Sequence, residues 1–171
     1  MHRLLFQALI HSPLTEQLDS DHACELAELA SRLNEATRSR LGRSLSIREL
    51  DAGSCNGCEL EINALSNAFY DLERFGLRFV ASPRHADVLL ITGPVTRNMQ
   101  EALRKTYEAM PRPNWVVAAG DCAVDGGCFA GSYAVVGGAS QVIPVDLVVP
   151  GCPPSPASIL RSLALLMTSP K

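Results

Sequence analysis

From residue 45 onward, the chain alternates short apolar runs with longer amphipathic segments. Short runs rich in valine, leucine and isoleucine are typical of strands that are buried on both faces of a parallel sheet. Such runs predict strands at Leu77–Ala81, Val88–Thr92, Trp115–Ala119 and Val142–Val149, the last interrupted by Pro144, and the alternation of apolar and polar residues predicts a further short strand at Leu45–Leu50. Together these strands are sufficient for the sheet of one domain.

The segments between these runs have helical periodicity. Apolar residues recur at spacings of three and four residues over Glu59–Phe75, Val95–Met110 and Ser155–Met167, which predicts helices there. In the first segment, one helical face would carry Ile62, Leu65, Phe69, Leu72 and Phe75. Strands that alternate with helices predict the α/β class: an open, mostly parallel, flavodoxin-like sheet with helices on both faces.

Residues 1–44 are more polar than the rest and are expected to form an N-terminal extension, followed by an α/β domain at 45–171. A helix is predicted from about Asp21 to Leu41, with Asp19 or Ser20 as its cap and Gly42 as its end. We interpret it as a peripheral amphipathic helix that packs on the domain or on a partner. Its polar face mixes acids with arginines, which fits a membrane surface less well.

The composition and charge of the chain exclude several classes of function. The chain has 171 residues, of which 47% are hydrophobic and 19% charged, as expected for one globular domain. A formal net charge of -3 gives no reason to expect a nucleic-acid partner. The apolar stretch after Arg3 lacks a cleavage site for a secretory signal, so we expect a cytoplasmic location. In that reducing compartment, six cysteines favour metal or redox chemistry over disulfides.

Four of the cysteines lie in three separate loops that are rich in glycine, asparagine, aspartate or proline. Cys55 and Cys58 share the first loop, Cys122 lies in the second and Cys152 in the third. Each loop follows a predicted strand, and the carboxyl ends of parallel strands meet at one edge of a sheet. The loops should therefore bring four thiolates together, a set that binds an iron–sulfur cluster or a zinc ion.

The spacing favours the cluster. Structural zinc sites normally use two close pairs of ligands, whereas only Cys55 and Cys58 form a close pair here. A pair of this kind before a helix is also typical of thioredoxin-type redox sites, but that interpretation leaves Cys122 and Cys152 without a role. A zinc-binding interaction module with no redox role remains as an alternative.

The remaining polar candidates have simpler explanations. Cys24 lies in the N-terminal helix and is expected to be a small hydrophobe. Cys122 is preferred as a ligand over Cys128 because it directly follows a strand. Cys128 is therefore interpreted as a bystander, and the alternative is that Cys128 is the ligand in place of Cys122. Asp121 and Asp125 are predicted to form turns. The paired glycines lack a dinucleotide fingerprint, and the histidines form no group with metal-ligand spacing.

Three motifs carry a resemblance to a known family: Cys-x2-Cys-Glu from Cys55, Gly-x-Cys-Ala-x-x-Gly-Gly around Cys122 and Pro-Gly-Cys-Pro-Pro around Cys152. Over residues 45–167 the chain resembles the small subunit of nickel–iron hydrogenases and the related 20-kDa subunit of respiratory complex I. In that family the matching cysteines bind one [4Fe-4S] cluster. The resemblance therefore implies that Cys55, Cys58, Cys122 and Cys152 are its ligands.

The spacing Cys55-Asn56-Gly57-Cys58 is that of hydrogenases, because complex I subunits have adjacent cysteines here. The chain is most similar to the short small subunits of membrane-bound, energy-converting hydrogenases, including those of formate hydrogenlyase. This resemblance implies an electron-transfer subunit between a ferredoxin-like subunit and the nickel–iron site of a large subunit. Integral membrane subunits would hold it on the inner face of the membrane, and the nickel–iron site itself is expected on the partner.

Two points stay open within this resemblance. Glu61 aligns approximately with an acid near the cluster in complex I relatives, which implies a proton-coupled role. The alternative is an acid favoured by the dipole at a helix N-terminus. A complex I-like subunit that passes electrons to quinone is the alternative function.

Overall fold

The computed structural model of the chain describes residues 20–169, and for residues 20–24 and 26 it describes the backbone alone. Its helices are α1 (Ser20–Leu41), α2 (Gly57–Ala64), α3 (Gln100–Glu108), α4 (Asp121–Asp125) and α5 (Pro156–Thr168). Its strands are β1 (Leu45–Asp51), β2 (Leu77–Phe79), β3 (Val88–Thr92), β4 (Val95–Thr96), β5 (Trp115–Ala119), β6 (Val135–Gly137) and β7 (Leu147–Val149).

Five of these strands form one sheet in the order β2-β1-β3-β5-β7. Every neighbouring pair in it is parallel. This order is that of flavodoxin-like doubly wound sheets, so the predicted fold class is confirmed. Strands β4 and β6 form a separate antiparallel ribbon, which the sequence did not indicate because elements of two and three residues leave no periodic pattern.

Two apolar layers cover the sheet. The first lies on the side of α1, α2 and α5 and includes Leu33, Ile62 and Leu163. The second lies on the side of α3 and α4 and includes Leu103 and Ala123. Side chains of β3 alternate between the two layers, as the pleat of a strand requires. Helices on both faces are thus confirmed.

Helix α1 begins and ends close to its predicted bounds. Gly42 follows it with φ +68, and its N–H donates to the Arg38 carbonyl at 2.9 Å, as in a glycine C-cap. Leu33 is fully buried within the first apolar layer, so this helix packs on the domain. The proposed domain boundary after residue 44 stays a prediction. Cys24 lies in the part of α1 whose side chains are outside the described set.

Arg40 fastens α1 to the end of α5. Its Nη1 donates to the carbonyls of Leu166, Met167 and Ser169 at 3.0, 3.1 and 2.6 Å. Its guanidinium also lies 4.9 Å from the ring centroid of Trp115. The carbonyls in the last turn of a helix have no partner within the helix, so a cation placed there both satisfies them and opposes the helix dipole.

We expect Arg40→Ala to lower the free energy of unfolding by about 1–3 kcal/mol, because carbonyls of the last turn and the Trp115 ring lose their cationic partner. Urea denaturation followed by circular dichroism measures this loss. Arg32→Ala is the control, since Arg32 makes an exposed pair with Glu28 on the same helix and such pairs contribute less than about 1 kcal/mol. Equal losses for the two variants would contradict this role of Arg40.

The predicted helix over Glu59–Phe75 is wrong in its second half. Helix α2 ends at Ala64, and a separate 3₁₀ turn covers Leu72–Phe75. The Asn67 Oδ1 atom accepts from the N–H groups of Phe69 and Tyr70 at 2.9 and 3.0 Å. This local side-chain turn competes with the helix, so Phe69 ends up 47% exposed instead of buried.

Besides β2, which ends at Phe79 instead of Ala81, two other elements are shorter than predicted. Residues Val95 and Thr96 pair with β6, so the helix expected from Val95 begins only at Gln100. The strand expected from Val142 begins at Leu147, because Pro144 has no N–H to donate to a sheet. Neither difference moves the cysteine loops.

Candidate metal centre

The three cysteine loops meet at one edge of the sheet. β1 ends before the loop of Cys55 and Cys58, β5 ends before Cys122, and β7 ends before Cys152. These strands run parallel to their neighbours, so their carboxyl ends share an edge. This is the edge at which open α/β sheets bind ligands.

The first loop is held by the side chain of Asp51. Its Oδ1 atom accepts from the N–H groups of Gly53 and Ser54, both at 2.7 Å. Asn56 then takes a left-handed conformation with φ +71, which asparagine tolerates better than most residues. Helix α2 begins at the next residue. The turn leaves Cys55 exposed and Cys58 half-buried at the start of the helix.

The second and third loops are joined by Asp121. Its N–H donates to the Gly151 carbonyl at 2.9 Å, and its Oδ1 atom accepts from the Gly151 N–H at 2.8 Å. The residues joined in this way are the immediate neighbours of Cys122 and Cys152. Asp121 therefore places these two cysteines side by side. It was predicted to form a turn, and in the structure it also links two loops.

Glycines allow the loops to approach closely. A Cβ built on Gly120, where φ is +90, would lie 2.7 Å from the Cys58 Sγ atom. A Cβ on Gly93, where φ is +70, would lie 2.4 Å from the Ser54 nitrogen. These contacts bring the loops after β3 and β5 directly against the loop that carries Cys55 and Cys58. A larger residue at Gly120 would push the Cys58 sulfur out of its place.

The thiols lie close enough to affect each other's charge. Burial raises the pKa of Cys58 to about 11, with further increases from Glu59 and then from Cys122, Cys55 and Cys152. A thiolate at Cys58 is therefore costly unless positive charge is supplied to it. Metal ions supply that charge and deprotonate the thiols they bind.

Cys128 lies against Cys122. Burial raises the pKa of Cys122, and the neighbouring thiols of Cys128 and Cys152 raise it further. The backbone of Cys128 also hydrogen-bonds to the Cys122 sulfur, which favours its thiolate. The turn between them is fixed by Asp125, whose Oδ1 atom accepts from the Gly127 N–H at 2.8 Å. The preference for Cys122 over Cys128 as a ligand stays a prediction.

Two buried polar groups near this edge have no hydrogen-bond partner in the part of the chain that the structure describes. Both carboxylate oxygens of Glu59 are without a hydrogen bond, although the residue is only 9% exposed. The Oγ1 atom of Thr92, at the end of β3, is likewise buried and unpaired. An unsatisfied buried hydroxyl costs about 1–3 kcal/mol, so each of these groups requires an explanation. From the sequence, Thr92 is simply the last residue of an apolar strand.

The acids after Cys58 differ in their surroundings. Glu59 faces inward, whereas Glu61 is half-buried, and its proton-coupled role stays a prediction. Glu49 on β1 lies near Glu59: burial raises the pKa of Glu49, and the Glu59 carboxylate raises it further. The resemblance to complex I relatives singled out Glu61. Only the structure, which places the first turn of α2, shows that Glu59 is the acid whose side chain faces inward.

The donor set fits an iron–sulfur cluster in its chemistry. It offers thiols from three loops, glycines that leave room for sulfur, and a half-buried Cys58 whose thiol has a raised pKa. Within residues 20–169, no three His, Cys, Asp or Glu side chains are grouped closely enough to hold a single metal ion.

Fold and site together define a flavodoxin-like α/β domain that gathers cysteines at the carboxyl edge of its sheet. The chain matches the family described as NADH ubiquinone oxidoreductase, 20 Kd subunit, over residues 55–166. The chain belongs to this family. The resemblance inferred from the cysteine motifs is confirmed.

Its similar proteins include subunits of hydrogenases. Formate hydrogenlyase subunit 7 of Escherichia coli (strain K12) is 43% identical over 128 residues, covering 75% of this chain and 50% of the relative. The probable membrane-bound hydrogenase subunit mbhJ of Pyrococcus furiosus is 46% identical over 127 residues, covering 74% of this chain and 76% of the relative. The chain thus spans half the length of the first of these two relatives.

A solved relative comes from the structure of the membrane-bound sulfane sulfur reductase, an archaeal respiratory membrane complex. It superposes with a TM-score of 0.65 at 36% identity, covering 80% of this chain and 73% of the other. Among the described residues of the present chain, no helix has both the length and the apolar character needed to cross a bilayer.

Proposed function

We propose that this chain is an electron-transfer subunit that carries one [4Fe-4S] cluster on Cys55, Cys58, Cys122 and Cys152. The observation that carries the proposal is the meeting of these four thiols, from three loops, at one edge of the sheet. Ligands on separate loops suit a cluster with four corners, each bound by one thiolate. When bound, such a cluster supplies one-electron oxidation and reduction.

The other residues at this edge have supporting roles. Asp51 and Asp121 fix the loops through their hydrogen bonds to backbone N–H groups. Gly120 leaves space for the sulfur of Cys58. Burial of Cys58 keeps water away from one side of the site and lowers the local dielectric, which tunes the potential of an iron–sulfur centre.

The chain would pass electrons between a ferredoxin-like subunit and the nickel–iron site of a large hydrogenase subunit. The Cys55–Cys58 spacing and the hydrogenase relatives support this assignment. Within such a complex the chain would lie on the cytoplasmic face of the membrane, held by integral membrane subunits.

Exposed apolar side chains follow two of the cysteine loops along the chain and suit a cover by the large subunit. Leu60, two residues after Cys58, is 61% exposed, and Phe129, next to Cys128, is 42% exposed. Tyr133, on the loop that follows, is 90% exposed. Large apolar side chains that cluster at a surface commonly mark an interface.

Metal analysis of the complex, purified without oxygen, tests this proposal. We expect about four iron atoms and four sulfides per copy of this chain in addition to the iron of the partner subunits, and an electron-paramagnetic-resonance signal from this cluster after reduction. Stoichiometric zinc without iron would instead support the interaction module without a redox role. A hydrogen-oxidation assay with a viologen dye as acceptor tests the connection to a nickel–iron site.

A complex I-like subunit that delivers electrons to quinone is the second candidate. It is favoured by the description of the family to which the chain belongs. The sulfane sulfur reductase relative indicates that members of this fold also serve other acceptors. The large partner separates these cases: four nickel-binding cysteines in its sequence support the hydrogenase, and their absence supports quinone or another acceptor.

The role of Cys128 is open to a direct test. Because it is expected to be a bystander beside Cys122, Cys128→Ala should keep about four iron atoms and an unchanged spectrum. A small shift in reduction potential is expected from the loss of a neighbouring thiol. If Cys128→Ala instead loses the cluster while Cys122→Ala keeps it, the two assignments must be exchanged.

A further inference from the structure

We propose that the hydroxyl group of Thr92 donates a hydrogen bond to a sulfur atom of the bound cluster and thereby raises its reduction potential. This inference rests on the proposed function. It gives a role to a buried side chain that neither the cysteine motifs nor the hydrogen bonds within the chain explain.

Thr92 ends the central strand of the sheet on the face of the first apolar layer. Along β3, Leu90 belongs to that layer, whereas Leu89 and Ile91 belong to the second. Alternation places the side chain of Thr92 on the same face as Leu90. This is also the side on which α2, the helix that contains Cys58, packs through Ile62.

The backbone around Thr92 touches two of the cysteine loops. Thr92 pairs with Ala119 of β5, and a Cβ on the next residue, Gly120, would lie 2.7 Å from the Cys58 sulfur. The residue after Thr92 is Gly93, whose Cβ would lie 2.4 Å from the nitrogen of Ser54, next to Cys55. Thr92 thus lies between Ser54, which precedes Cys55, and the sulfur of Cys58.

Among residues 20–169, the Thr92 hydroxyl has no hydrogen-bond acceptor. Thr92 is 0% exposed, and its Oγ1 atom has no hydrogen-bond partner. The other residues of this strand are all buried and apolar, and a valine at this position would fill the same shape without an unpaired hydroxyl. The hydroxyl is therefore expected to serve a ligand, and cluster sulfur is a hydrogen-bond acceptor.

A hydrogen bond to cluster sulfur stabilises the reduced state, which carries one more negative charge than the oxidised state. Removing the donor must therefore make the midpoint potential more negative. Thr92→Val removes the hydroxyl and keeps the shape, while Thr92→Ser keeps the hydroxyl. Both variants are to be made in the intact complex and titrated potentiometrically, with the cluster signal followed by electron paramagnetic resonance.

Thr37→Val is the matched control. Thr37 is 1% exposed and its Oγ1 atom is also unpaired, but it lies one turn before Arg40, which contacts Trp115 at the opposite end of β5. We expect a negative shift in Thr92→Val, a potential close to wild type in Thr92→Ser, and no shift in Thr37→Val. Iron content is measured for each variant.

An unchanged potential in Thr92→Val with full iron content would overturn the inference and leave the proposed function intact. Absence of iron from this chain in the wild-type complex would instead refute the proposed function. If Thr92→Val loses the cluster but Thr92→Ser keeps it with a wild-type potential, the hydroxyl is needed at the site and the inference stands. If both lose it, the shape of the side chain is what matters, and the inference is wrong.

Discussion

Replacement of Cys58 by serine is expected to remove about four iron atoms per copy of this chain from the anaerobically purified complex, while the partner subunits keep their own iron. The same result is expected for Cys55→Ser, Cys122→Ser and Cys152→Ser, because each corner of the cluster needs its own thiolate. A serine hydroxyl is far less acidic than a thiol and binds iron poorly, so the paramagnetic signal of this cluster is expected to fall by more than about tenfold. Iron and sulfide assays, with optical and paramagnetic spectra, measure it.

Cys24→Ser provides the control for these variants. Cys24 belongs to α1, which is not one of the three loops at the carboxyl edge. The iron content of the Cys24→Ser variant should therefore equal that of wild type. Wild-type iron in any one of the four loop variants would remove that residue from the ligand set. The subunit composition of the complex is to be checked in each variant, so that loss of the cluster can be told from loss of a subunit.

The second large effect is expected from Gly120→Ala. Alanine is strained at φ +90, and its Cβ would approach the Cys58 sulfur to 2.7 Å. The strain should lower the free energy of unfolding by about 1–3 kcal/mol. Displacement of the Cys58 sulfur should in addition lower the iron content, which metal analysis of the purified complex measures.

Gly131→Ala separates the two causes. Gly131 has a similar φ of +80, but a Cβ there would meet no atom within 4 Å. This variant should show a comparable loss of stability and keep its iron. If both variants lost iron equally, backbone strain alone would be responsible, and the close contact between Gly120 and Cys58 would have no special role.

The sequence predicted the central part of the sheet well. Strands β3 and β5 have the predicted bounds, because each is a run of residues buried on both faces and flanked by turn residues. Prediction failed where a single side chain overrides a continuing pattern. The apolar periodicity after Cys58 runs on to Phe75, yet the Asn67 side chain binds the backbone and the helix ends earlier.

The candidate site was predictable in its thiols and not in its surroundings. Cysteines in turns after strands indicate a shared edge, because parallel topology determines where strands end. The direction of Glu59 depends on the residue at which α2 begins, and a shift of one position would turn another side chain inward. The unpaired Oγ1 atom of Thr92 depends on which acceptors lie within reach in three dimensions, and no spacing in the sequence records that.

The position of β7 at one end of the sheet order has a consequence for the maturation of the protein. Cys55 and Cys58 are neighbours in the chain and can form their turn early in synthesis. Cys152 reaches the same edge only after β7 has paired with β5 and Asp121 has bonded to Gly151. A chain still emerging from the ribosome would therefore offer an incomplete set of thiols, and insertion of the proposed cluster would have to wait until β7 has joined the sheet.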